Sequence, residues 1–107
     1  MDADALFGEI VSRFRDDPAV TPPGAGKKFG ASGLKVDNKL FAMVSKGELV
    51  VKLPRERVDE LIAAGTGTRF DPGHGRLMKE WVSISTRHSG DWPGLAAEAR
   101  EFVAARR

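Results

Sequence analysis

Apolar residues recur at helical spacing in three stretches of the chain and alternate with polar residues between them. In the first stretch, five apolar side chains lie three or four positions apart, on one helical face: Leu6, Phe7, Ile10, Val11 and Phe14. Asp2 and Asp4 lie at the start of this stretch, where carboxylates favour the helix dipole. Pro18 stops propagation, so the pattern predicts a first helix that ends before it.

Residues 27–53 have the pattern of antiparallel strands joined by tight turns, after a loop rich in proline and glycine at residues 21–26. Three runs have strand composition: Leu34–Val36, Leu40–Val44 and Leu49–Leu53. The second run is nearly all apolar, as expected of a central strand covered on both faces. Turn residues at 37–39 and 46–47 separate the runs and predict a three-stranded meander.

The second helix is predicted to start at Pro54, which is tolerated in a first helical turn, and to end at Gly65. Two further strands are predicted, over residues 68–71 and 79–85. In the second of them Val82 and Ile84 share one face, and Trp81 lies on the other. We expect Trp81 to be buried between the sheet and a helix.

A last helix is predicted after Asp91, a suitable N-cap residue, with Pro93 in its first turn. Its buried side is formed by Trp92, Leu95, Ala99, Phe102 and Val103. The order is therefore helix, three strands, helix, two strands, helix. This order predicts a two-layer α+β domain over residues 1–107, with helices packed on a mainly antiparallel sheet.

Composition narrows the classes of function. The sequence has no cysteine, which excludes disulfides, thiolate catalysis and cysteine-ligated metal sites. No apolar run approaches the roughly 20 residues that a membrane span requires. The first residues are acidic rather than typical of a signal peptide. We therefore expect a cytoplasmic protein that does not contact a membrane.

Positive charge is concentrated in the middle third of the chain. The whole sequence has a net charge of only +2, whereas residues 27–57 hold eight basic and three acidic side chains, a balance of +5. Such a segment is typical either of an anion-binding surface or of a solvated sheet face with charged edges. On the first interpretation, the candidate residues for binding nucleic acid or another partner are Lys27, Lys28, Lys35, Lys39 and Arg55.

A second candidate site lies in the loop between Asp71 and Trp81, which is rich in glycine and polar residues. There His74, Arg76 and Lys79 would surround an anionic ligand, with Trp81 forming one wall. A structural turn is the alternative interpretation of the same residues. The stretch from Gly24 to Phe29 departs from the dinucleotide-binding and phosphate-loop motifs, and the histidines lack the spacing of metal ligands. We therefore predict no catalytic residue, metal or cofactor.

The linear order of these features resembles the N-terminal domain of the TfoX/Sxy family, and it is similar to the MmcQ/YjbR group. The resemblance covers roughly residues 5–105 and rests on KKFGASGLKVDNKLFAMVSKGELVVKLPRERVDELIAAG followed by FDPGHGRLMKEWVSI. It implies a secretion-chaperone-like fold with the same element order as above. It also implies an association with competence-gene regulation and, through the YjbR-like proteins, with DNA binding.

The residues and the resemblance together predict a non-enzymatic binding module, an accessory to transcription or competence that acts through DNA or a protein partner. The alternative is a small-molecule binding protein or enzyme that uses the Asp71–Trp81 loop. Strict alternation along the central strand would place Phe41 and Met43 on the sheet face opposite the helices. Two large apolar side chains there, together with the family resemblance, predict a homodimer.

Overall fold

The structure is a computed structural model that describes residues 2–22, 33–70 and 79–105. Three α-helices are present in these ranges: α1 (Ala3–Arg13), α2 (Arg55–Ala63) and α3 (Trp92–Ala105). A 3₁₀ helix, Thr86–Asp91, runs directly into α3. The strands are β1 (Val20–Thr21), β2 (Leu34–Val36), β3 (Lys39–Ser45), β4 (Glu48–Lys52), β5 (Gly67–Arg69) and β6 (Trp81–Ile84).

The six strands form one antiparallel sheet in the order β1-β2-β3-β4-β6-β5. Leu49 and Val51 of β4 join a core that also contains residues from all three helices, whereas Val50 between them does not. The helices therefore pack on the face to which Leu49 and Val51 point. The opposite face, called the outer face below, is the one to which Val50 points. The predicted α+β class, with helices on one side of an antiparallel sheet, is confirmed.

The differences from the predicted elements are local. β1 was not predicted, because its two residues are too few to show an alternating pattern; it pairs with β2 through Val20 and Val36. Asp91 was predicted as the N-cap of the last helix, but it is the final residue of the 3₁₀ helix. That helix begins after Ser85, whose hydroxyl accepts a hydrogen bond from the Arg87 backbone N–H at 3.1 Å.

The expectation that Phe41 points to the outer face is wrong. The β2–β3 register shifts so that Leu34 pairs with Ala42 and Lys35 pairs with Leu40, which leaves Phe41 as the extra residue of a β-bulge. Because a bulge interrupts alternation, Phe41 and Ala42 are both fully buried core residues. The Phe41 ring packs edge-on against Phe14, with 5.5 Å between centroids. Phe41 therefore gives no support to the predicted homodimer.

The two tryptophans differ in burial, and the sequence predicted only one of them correctly. Val82 and Ile84 point into the core as predicted, so Trp81 lies on the outer face, where it is half-buried and outside the core. The prediction that Trp81 is sandwiched between the sheet and a helix is therefore wrong. Trp92 of α3 is buried in the core as predicted, 1% exposed, and its indole Nε1 donates a hydrogen bond to the Ser85 carbonyl at 3.1 Å.

An ion pair ties α3 to the turn that follows α1. The Arg100 guanidinium contacts both carboxylate oxygens of Asp17, from Nε at 2.9 Å and from Nη2 at 3.2 Å. The hydrogen bond from Arg100 lowers the pKa of Asp17 below its ordinary value, against the opposing effect of partial burial. Residues 83 positions apart are thus held together by a two-pronged contact.

This pair makes stability depend on pH in a definite direction. A folded-state pKa below the unfolded one stabilises the fold above the unfolded pKa, and that contribution is lost as pH falls through the folded pKa. We expect Asp17→Asn to lower the urea midpoint at about pH 7, and the difference from the parent protein to shrink at about pH 2.5. Glu101→Gln, which removes an exposed partner of the same Arg100, is the control and should change the midpoint little. A difference for Asp17→Asn that stays constant with pH would contradict this account.

Candidate functional site

The structure describes five of the nine candidate binding residues. Lys35 lies on β2, Lys39 begins β3, and Arg55 begins α2; all three side chains are exposed. Lys79 is exposed just before β6, and Trp81 is the first residue of that strand. The other four candidates lie outside the described residues: Lys27, Lys28, His74 and Arg76.

Antiparallel pairing brings the described candidates to one end of the sheet. β3 and β6 begin at the end where β4 and β5 finish, since Lys52 pairs with Trp81 and Arg69 pairs with Val82. β2 also finishes there, because Val36 pairs with Lys39. Six cationic side chains of the described residues belong to this region, called the basic end below: Lys35, Lys39, Lys52, Arg55, Arg69 and Lys79.

The cations of the basic end lie among carboxylates, which include Asp37 in the turn between β2 and β3 and Asp59 on α2. Four of the cations form no salt bridge with any described residue: Lys35, Lys52, Arg55 and Lys79. These side chains are therefore positioned to meet an external anion without first breaking an internal ion pair.

Three of the cations line one open depression of about 390 Å³ at the α2 side of the basic end. The described residues that line it are Arg55, Asp59, Arg69 and Lys79. Asp59 follows Arg55 by one helical turn, and its Oδ1 accepts a hydrogen bond from Arg69 Nη2 at 2.8 Å. This contact holds the Arg69 guanidinium at the end of β5, beside the exposed side chains of Arg55 and Lys79.

Lys52 and Trp81 form a neighbouring feature on the outer face. They are directly paired across β4 and β6, and the Lys52 Nζ lies 5.8 Å from the centroid of the Trp81 ring. This is the distance of a cation–π contact, which orients the lysine head over the half-buried indole. An aromatic ring beside ammonium groups is an arrangement on which a nucleic-acid base can stack while its phosphate contacts the lysine.

Other basic residues do not belong to the basic end, among them Arg57, Lys46 and Arg87. Arg57, which contributes to the +5 segment, donates to Glu98 of α3 at 2.9 and 3.1 Å and to Glu60 at 3.1 Å. These bonds tie α2 to α3, so Arg57 has a structural role. Lys46 and Arg87 lie at the opposite end of the sheet, where β3 turns into β4 and where β6 ends.

Two residues of the basic end, Lys52 and Arg69, were not among the nine candidates predicted from the sequence. Lys52 lies within the basic segment 27–57, whereas Arg69 lies outside it, and only strand order reveals that Arg69 adjoins Arg55 and Lys79. The local signal was present, since Arg69 falls in a predicted strand immediately before the Asp71–Trp81 loop. What the sequence lacked was evidence that the second helix starts beside the end of that strand.

In the described ranges, no group of three or more histidine or acidic side chains is placed to hold a metal ion. Among the helices of those same ranges, none is both long and apolar enough to cross a membrane.

The comparisons with known proteins give no match, whether against family models, curated proteins or solved structures. The fold defines the class of this chain as a two-layer α+β domain, and the resemblance to the TfoX/Sxy family stays a prediction.

Proposed function

We propose that this chain is a non-enzymatic binding module that holds nucleic acid by its phosphate backbone along the basic end of the sheet. The observation that carries the proposal is the convergence of six cationic side chains, from four strands, α2 and the turn before β6, on one end of the fold. The family resemblance supports a role as an accessory to transcription or competence. On this proposal, one surface contains Lys35 and Lys39 of the basic segment together with Lys79 of the second candidate site.

The dimensions of the basic end fit a short stretch of backbone. Four strand spacings separate β2 from β5, a width of roughly 19 Å at about 4.8 Å per spacing. At about 3.4 Å per base step, this corresponds to about six base pairs of duplex. Lysine and arginine contacts to phosphates position a protein on nucleic acid but do not read its sequence. We therefore expect binding with little sequence preference.

Salt dependence gives the first test. If Lys35, Lys52, Arg55 and Lys79 each neutralise one phosphate, the logarithm of the association constant should fall with the logarithm of salt concentration with a slope of about −3.6. Raising salt from about 50 to about 200 mM should then weaken binding by roughly 100-fold. Fluorescence anisotropy with a labelled 20-base-pair duplex measures this slope.

Two results would count against the proposal. Absence of binding to both duplex and single-stranded probes at low salt would reject nucleic acid as the partner. Binding with a slope near zero would show that phosphate contacts do not hold the complex.

A further inference from the structure

We infer that the depression lined by Arg55, Asp59, Arg69 and Lys79 binds a phosphate monoester, the group found at the end of a phosphorylated nucleic-acid strand or on a small phosphorylated molecule. Where the phosphate monoester lies at the end of a nucleic-acid strand, the inference rests on the proposed function and extends it. The depression would therefore bind a phosphate monoester, whereas the rest of the basic end would contact the phosphate diesters of the backbone.

The charge of the depression favours a monoester over a diester. The described residues that line it, three cations and one carboxylate, have a net charge of +2. A phosphate monoester carries about −1.5 to −2 at neutral pH and presents three acceptor oxygens. A backbone diester carries one negative charge, so it would leave half of the positive charge in the depression unmatched.

Asp59 gives the depression a fixed element. Its contact with Arg69 Nη2 at 2.8 Å holds the guanidinium, whose side chain is 32% exposed, at the mouth of the depression. Within the described residues this bond engages one of the five guanidinium N–H groups, which leaves others for a ligand. A held guanidinium loses less conformational entropy when it binds phosphate through two parallel hydrogen bonds.

Arg55 and Lys79 supply the remaining positive charge from opposite sides. Arg55 projects from the first residue of α2, and Lys79 precedes β6, so the two approach the depression from different elements. The volume of about 390 Å³ lies within the range of small-molecule sites.

The test compares three probes on the intact chain: a labelled single strand with a 5′-phosphate, the same strand without it, and a 5′-mononucleotide. We expect the phosphorylated strand to bind about 10-fold tighter than its unphosphorylated form. Arg69→Gln and, separately, Lys79→Gln should reduce this ratio toward one. Arg87→Gln, at the opposite end of the sheet, should leave it unchanged, and thermal melts of all three variants check folding.

The outcomes separate this inference from the proposed function. Equal affinity for the two strands overturns the inference and leaves nucleic-acid binding in place. Binding of the mononucleotide alone, lost in Arg69→Gln and in Lys79→Gln, supports the monoester site, and if the 20-base-pair duplex also fails to bind, the proposed function is overturned. Absence of binding by all three probes overturns the inference, and absence of duplex binding as well overturns both.

Discussion

Replacing Phe41 by alanine should lower the free energy of unfolding by about 3–5 kcal/mol, the usual cost of truncating a buried aromatic residue. Phe41 is fully buried, and its ring meets Phe14 edge-on at a centroid distance of 5.5 Å. Truncation removes this contact between β3 and the end of α1 and leaves a cavity at the bulge. Since small domains are stable by only about 5–15 kcal/mol, the variant would be marginally folded. Urea unfolding followed by tryptophan fluorescence measures the difference.

Met43, two residues further along the same strand, provides the matched control. It is half-buried and lies outside the core, so Met43→Ala should cost about 1 kcal/mol or less. A loss below about 1 kcal/mol for Phe41→Ala would contradict the structure, because it would mean that Phe41 is exposed. Such a result would also restore the argument for a dimer through the outer face.

Phe41 shows where sequence reasoning about the fold stops. The periodic pattern predicted α2, the start of α3 and the strands β2 to β6 to within about two residues, because the alternation of apolar and polar positions is local. It also predicted α1, which ends at Arg13, earlier than the limit set by Pro18. A β-bulge depends instead on how β2 and β3 pair, which no single stretch of sequence specifies. Alternation applied across the bulge therefore assigned Phe41 to the wrong face. In β6, which pairs regularly with β4, alternation assigned Val82 and Ile84 to the correct face.

The candidate site shows the same boundary between local and non-local information. Counting charge along the chain identified Lys35, Lys39 and Arg55, since these lie in one basic segment. Lys79 was assigned to a separate loop site, and Arg69 to none. Strand order β4-β6-β5 places the ends of these strands beside the start of α2, which merges the two candidate sites into one basic end. That order is a property of tertiary pairing, so the sequence alone could not supply it.

The second large effect concerns binding. The double variant Arg55→Glu/Lys79→Glu should weaken the affinity for a 20-base-pair duplex by about 100-fold or more at low salt. It removes two phosphate contacts and introduces two carboxylates that repel the backbone. The salt slope should also become less steep by about 0.9 for each lost contact. Both side chains are exposed, so the fold should tolerate the change, and thermal melts check that it does.

A matched control separates position from net charge. Lys46→Glu/Arg87→Glu produces the same change in net charge, but both residues are exposed at the opposite end of the sheet. If long-range attraction to the whole protein held the nucleic acid, the two double variants would behave alike. If the basic end is the contact surface, only the first variant should lose most of its affinity.

Duplex affinity of the two double variants, measured side by side at about 50 mM salt, therefore tests the central claim most directly. We predict that Arg55→Glu/Lys79→Glu binds about 100-fold more weakly than the parent protein. The control Lys46→Glu/Arg87→Glu should stay within about 5-fold of the parent. Equal losses in the two variants, or a larger loss in the control, would contradict the claim that nucleic acid is held at the basic end of the sheet.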